Sequence, residues 1–415
     1  MTKGTKATDA YFERFGFCGR QIHAPAPAGL SLSVVIPCFN EPNLITTLES
    51  LRRCDPPKSV FEIIVVVNAP AEAPLSVLAQ NRKTLEAACA WIRDAGFPVH
   101  LIEACDLPPR HAGVGLARKI GMDEALRRFD DVGRLNSGVI VCFDADATCA
   151  PNYLWAVDEH FGTHAGSPAC SIYFEHPLEG ELPPEVYEAI TEYELHLRYY
   201  VQALRYAGFP HAYHTIGSSM TVRARAYMEQ GGMNRRQAGE DFYFLHKLIP
   251  LGGFTELKST TVFPSPRASD RVPFGTGRAV SEWRGGMKSY PLQAFEDLRA
   301  FLATVPALKS QELQNVPESV QTFLSEQNFA EALGEIRRHT SSADAFVKRF
   351  YRWFDGFRAM KFVHHARDRF YGEEEVATAA AKLLERIGVK APSKNVRGLL
   401  KLYRSLERGQ PCPHN

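Results

Sequence analysis

Asp144-Ala145-Asp146 follows an apolar run, GVIVCF, with no polar residue between. Two carboxylates one residue apart at the end of a buried strand repel each other and are costly to desolvate. A hard divalent cation, Mg²⁺ or Mn²⁺, relieves both costs and commonly bridges such carboxylates to a phosphate. A solvated acidic turn is the plain alternative, and the position directly after a buried strand favours the cation. A second acidic pair, Glu240-Asp241, follows Gly239 and opens the helical pattern FYFLHKL. Acids in a first helical turn often only cap the helix or face its dipole. That accounts for one carboxylate better than for two. A carboxylate held at a helix start and facing a cleft can also take the proton of a hydroxyl.

The elements that must position these residues alternate. LSVVIPCF, FEIIVVV, VHLIEA and SGVIVCFDAD are strand-like runs. Helical patterns separate them, with Leu44, Leu48 and Leu51 after the first strand, residues 75–95 after the second and GLARKIGMDEALRRF after the third. Continuous apolar strands with helical crossovers predict an α/β fold with a mainly parallel sheet. In such sheets ligands bind beyond the carboxyl ends of the strands. Pro37-Cys38-Phe39-Asn40-Glu41, Asn68-Ala69-Pro70 and Asp144-Ala145-Asp146 are therefore expected to converge on one crevice.

The chain has 415 residues, with 48 Lys and Arg against 47 Asp and Glu, too balanced for a general nucleic-acid binder. Charged residues at 23% beside 11% aromatics rule out wholesale disorder. Nine cysteines without regular spacing fit neither a disulfide framework nor a zinc site, and reduced thiols are expected. The start of the sequence shows no secretory leader, and no apolar stretch approaches the roughly 18 residues of a membrane span. A cytoplasmic protein follows, with contact at the inner membrane face left open. The expected division is a peripheral N-terminal extension (1–30), an α/β domain (31–290) and an appended helical region (291–415). In that region Phe346, Phe350, Trp353, Phe357 and Met360 lie on one face of a single predicted helix, packed on a core rather than on a membrane. Arg397, Lys401, Arg404 and Arg408 are expected on a solvated flank.

Four blocks carry a resemblance: SVVIPCFNE, GVGLARKIGMDEA, VIVCFDADA and GSSMTVRARAYMEQGGMNRRQAGEDFYFLHKL. In order and spacing they resemble the family 2 glycosyltransferases of GT-A fold, over about residues 31–265. The resemblance implies a mixed, mainly parallel sheet flanked by helices, and transfer of a sugar, with inversion, from a UDP- or GDP-sugar to an acceptor hydroxyl on a lipid-linked or small molecule. It makes Asp146 a metal ligand and gives Asp144 to the metal or the ribose. Asp241 becomes the general base, with Glu240 orienting sugar or acceptor. Pro37, Asn40 and Glu41 fall at the nucleotide. Arg118 and Lys119 stand where the family often has Arg-Asn and face nucleotide or phosphates, unless they form a solvated helix face. Gly217 and Ser218 match a loop that approaches the transferred sugar.

At the end of the second strand the family usually has a base-reading aspartate, and this chain has Asn68, whose amide oxygen can still accept from a uracil imide. The Gln-x-x-Arg-Trp signature of processive synthases is absent. The segment Arg267 to Arg278 is a candidate lid over the diphosphate, with an ordinary surface loop as the alternative. Tyr173, His176, Tyr199 and His211 are candidate acceptor-side groups, or structural ones. Two other readings are weaker. A catalytically silent binding module would not need all four acids, and a nucleotidyltransferase would need a Gly-rich basic loop after the first strand.

Overall fold

The computed structural model describes residues 5–269, 275–390 and 395–410. In chain order the elements are α1 (Lys6–Phe15), β1 (Leu30–Cys38), α2 (Leu44–Arg52), β2 (Val60–Pro70), α3 (Leu75–Ile92), β3 (Val99–Leu107), α4 (Val114–Asp131), β4 (Val139–Cys142), β5 (Thr148–Cys149), α5 (Tyr153–Thr163), β6 (Ala169–Phe174), α6 (Pro184–Tyr206), β7 (Met220–Arg223), α7 (Ala224–Glu229), α8 (Glu240–Leu248) and β8 (Thr255–Phe263). They continue as α9 (Thr276–Glu282), β9 (Lys288–Ser289), α10 (Leu292–Thr304), α11 (Glu318–Glu326), α12 (Phe329–Arg338), α13 (Ala343–Trp353), α14 (Gly356–Ala366), β10 (Glu374–Glu375), α15 (Val376–Arg386) and α16 (Val396–Arg408).

Eight strands form a mixed, largely parallel sheet flanked by helices, in the order β3-β2-β1-β4-β7-β6-β8-β5. β3, β2, β1 and β4 run parallel, and β7 is antiparallel to both its neighbours. The chain steps outward from β1 to β3, then returns to the other side of β1 as β4. That reversal between β1 and β4 is where open α/β sheets leave a crevice. Val34, Ile36, Val65, Val67 and Val141 are fully buried, as strands covered on both faces require. Pro37 fits a central strand because the β1–β4 pairing stops at Val35↔Cys142. The Val35 carbonyl accepts from Phe143 N–H at 3.1 Å, so by alternation position 37 faces that same side, where β4 has ended.

The N-terminal segment is not peripheral. Tyr11 Oη donates to buried Asp123 at 2.7 Å, Thr8 Oγ1 donates to Asp130 at 2.6 Å, and the Gln21 and Ile22 N–H groups donate to Glu124 at 3.1 and 3.2 Å. α4 is buried almost all round, and this segment supplies hydrogen-bond donors to its acids.

The chain packs as two compact units, residues 1–177 with 215–278 and residues 178–214 with 279–415. The division expected at about residue 290 differs, because α6 joins the later helices. Its stripe Leu195, Tyr199 and Ala203 shares one apolar core with Phe295, Leu298, Val320 and Leu399. Partners that arrive so much later in the chain leave no local trace. The aromatic run of the second unit is two helices, not one. The chain breaks at Phe354-Asp355, and Asp355 Oδ1 caps α14 by accepting from Arg358 N–H at 3.0 Å. Phe346, Phe350 and Phe354 are wholly buried, so the run belongs to the core. Arg404 is not on a solvated flank either, because its guanidinium grips buried Glu194 with two bonds of 2.7 Å. Among the described residues no helix is long and apolar enough to cross a membrane.

Candidate active site

Arg118, on α4, is 2% exposed. One end of its guanidinium donates to Asp144 beyond β4 and the other to Glu240 at the start of α8. It thereby ties together two acidic motifs that lie far apart in sequence. Glycine at 217 leaves the guanidinium room, since a Cβ there would run into it. Ser218 beside it is buried. Gly239, at φ +67°, supplies the left-handed turn into α8.

Asp241 Oδ1 accepts from the Phe242 backbone N–H at 2.7 Å. Burial raises the Asp241 pKa and Asp144 adds to the rise, while Arg118 and the Phe242 and Gly217 N–H groups oppose it. Burial also pushes Glu240 up to about 8, with Asp241 and Asp144 acting in the same direction and Arg118 against. Three carboxyls thus share one guanidinium, an arrangement that attracts further positive charge.

Arg267, past β8, donates to Glu41 Oε2 at 2.5 Å and to Asp146 Oδ2 at 3.3 Å. It belongs to the expected lid, of which 270–274 lies outside the described residues. Among the described residues no group of three or more His, Cys, Asp or Glu side chains is arranged to hold a metal by itself. The Asp144 and Asp146 side chains, 34% and 26% exposed, are hard oxygen donors. Such a pair fits Mg²⁺ or Mn²⁺ held jointly with a ligand's phosphates, the usual way these ions are bound.

α3 fastens the ends of β1 and β2. Asn40, at φ +49°, donates its N–H to Asn81 Oδ1 at 2.9 Å. Asn81 Nδ2 donates to the Asn68 carbonyl at 3.0 Å, and Thr84 Oγ1 to the Glu41 carbonyl at 2.8 Å. The Asn68 side-chain oxygen is buried with no hydrogen-bond partner. Sequence reasoning missed Asn81 and Thr84. Their only signal is a polar pair three residues apart, on one side of a helix that follows a strand end.

Lys119 does not join the site. It pairs with Asp123 at 3.0 Å and Tyr11 at 3.2 Å, because adjacent helical residues diverge by about 100°. Tyr173 donates to Glu175 at 2.5 Å, and His176 is buried. Tyr199 and His211 belong to the second unit, where Tyr199 donates to the Tyr290 carbonyl at 2.9 Å.

Residues 33–229 match the family model described as Glycosyl transferase family 2. No curated protein matches the chain. Among solved structures, S. aureus TarS residues 1–349 in complex with UDP-GlcNAc is 13% identical at a TM-score of 0.41, covering 92% of each chain. The mannosyltransferase PcManGT from Pyrobaculum calidifontis, in complex with GDP-Man and Mn²⁺, is 14% identical at 0.34, covering 97% of this chain and 94% of its own. Likeness at these TM-scores carries no residue role or substrate over to this chain.

Proposed function

We propose that the chain, whose residues 33–229 match the model of glycosyl transferase family 2, moves a sugar from a nucleoside-diphosphate sugar to an acceptor hydroxyl, with inversion, in a divalent-metal-dependent reaction. The observation that carries this reading is Arg118 joining the Asp144-Ala145-Asp146 turn to the Glu240-Asp241 helix start at the sheet's switch point.

Asp241 takes the proton of the attacking hydroxyl. Its burial-raised pKa makes it a stronger base than a solvated aspartate. One base acting on the hydroxyl, with no second carboxylate needed as a nucleophile, corresponds to single displacement and inversion. Arg118 keeps Glu240 and Asp144 in register with that base, and Glu240 orients sugar or acceptor. Asp146 and Asp144 would hold Mg²⁺ or Mn²⁺, which when bound supplies charge stabilisation for the departing nucleoside diphosphate. Arg267 pairs with Glu41 and Asp146 and can turn its guanidinium toward phosphate. The unpartnered Asn68 oxygen suits a base N–H donor such as the uracil imide. The eight free cysteines among the described residues suit the cytosol.

Calorimetric titration with UDP- and GDP-sugars, with Mn²⁺ or with chelator, tests the reading. One nucleotide is expected to bind, about tenfold or more weakly with chelator or in Asp146→Ala. Equal affinity without metal would remove the cation from the scheme. Binding of neither nucleotide would favour a silent module.

A further inference from the structure

Among the described cysteines, Cys54 and Cys149 form a close pair, with 3.5 Å between the sulfurs. Cys54 follows α2 by two residues, and Cys149 lies in β5, three residues past Asp146. Neither is fully buried. Cys54 Sγ also lies 3.4 Å from the Ser50 carbonyl oxygen. Among the described residues no third His, Cys, Asp or Glu is arranged to complete a metal site with them, so zinc does not explain the pair.

We propose that Cys54 and Cys149 are a redox modification site that closes to a reversible intramolecular disulfide. The hydrogen bond from Cys149 lowers the Cys54 pKa against the upward push of burial. The backbone N–H groups of Leu154 and Tyr153, in the first turn of α5, add to that lowering. A helix start facing a thiol favours its thiolate, so Cys54 attacks first. With a peroxide as oxidant, the Cys54 thiolate takes one oxygen, the O–O bond breaks, and hydroxide leaves a sulfenic acid. Cys149 is held protonated by its bond to Cys54, by burial and by the Cys54 charge. Oxidation of Cys54 removes that charge, and the Cys149 thiolate then attacks the sulfenic sulfur. The S–S bond forms and the second hydroxide departs. Overall, two thiols and one peroxide give one disulfide and two waters. A dithiol reverses the bond by exchange.

Closure brings the sulfurs from 3.5 Å to about 2.05 Å and pins the end of α2 to β5. α2 touches the acidic turn directly, since Thr47 Oγ1 donates to the carbonyl of Ala145, between Asp144 and Asp146, at 2.8 Å. Ser50 Oγ lies 2.9 Å from the Thr47 carbonyl and 3.8 Å from Cys149 Sγ. The site is therefore mechanically continuous with the turn proposed to bind the donor.

The test uses the full chain at low protein concentration, treated with hydrogen peroxide, alkylated and digested without reductant. A peptide linking 54 to 149 is expected, absent after dithiothreitol and absent from Cys54→Ser and Cys149→Ser. Cys89→Ser, which removes an exposed cysteine, should leave the link intact. The bond spans 95 positions, so the oxidised protein should melt several degrees higher than the reduced one, a gain missing from both single variants. These readouts need no substrate and stand or fall apart from the transfer reaction. Over-oxidation of Cys54 without a link, or a link from either cysteine to another, overturns the proposal.

Discussion

In the first unit Arg118 meets Asp144 and Glu240, with Asp241 alongside. In the second unit Arg198 and Arg404 meet Glu194, Arg198 also meets Glu407, and His214 Nε2 lies 2.9 Å from Glu407. Both clusters bury the same residue types. In the first, acids outnumber the guanidinium, and Glu240 is held up at about 8. In the second, burial pushes Glu407 upward, but Arg198, His214 and Arg205 overcome it and bring it down to about 2. A balanced cluster is a structural fastening, because each buried charge is offset in place. An acid-rich cluster is left wanting positive charge, as expected where a ligand brings it.

Four experiments can break or sharpen this contrast. Asp241→Asn should cut kcat about 10²–10⁴-fold while leaving donor affinity intact. Wild-type turnover on a working acceptor would remove Asp241 as base and with it the catalytic meaning of the acid excess. Arg198→Met should cost about 3–5 kcal/mol in urea unfolding, since it leaves Glu407 and Glu194 short of a partner. A loss under 1 kcal/mol would show that the second cluster is not a fastening.

The third experiment follows stability against pH. Glu240 keeps its proton in the folded state up to about 8 and loses it near 4.3 when unfolded. It therefore lowers stability as pH rises between those values, by about 1.4 kcal/mol per unit at most. Glu407, held at about 2, contributes stability above about 4.3 that is lost as pH falls toward 2. Glu240→Gln should flatten the neutral limb and Glu407→Gln the acid limb. If the two substitutions exchanged effects, the contrast would be inverted. The smallest effect is expected from Asn68→Ala, which should weaken the bound nucleotide by about 1 kcal/mol, read as a severalfold rise in its Kd. An unchanged Kd would take Asn68 out of base recognition.

Much of the sheet was legible. FEIIVVV and VIVC announce strands because a strand covered on both faces has no polar alternation, and β2 and β4 lie there. The four acids Asp144, Asp146, Glu240 and Asp241 were legible through their places after a buried strand and before a helical pattern. Arg118 and Lys119 were not separable. They are neighbours in sequence, and only the angular position on α4 sends one to the acidic motifs and the other to Asp123. Asn81 stayed hidden because its value lies in two strand ends that it joins, Asn40 and Asn68.

By itself the sequence determined the local pattern: which runs are strands, which residues follow them, and where acids are too concentrated to be left without a counter-charge. Packing decided the rest. Whether Arg404 faces water or Glu194, whether α6 stays with its neighbours in sequence, and whether one aromatic helix or two fits the core all depend on partners far along the chain. Such partners act by excluding water and supplying counter-charge. Those effects belong to a site in space and are invisible in a window of residues.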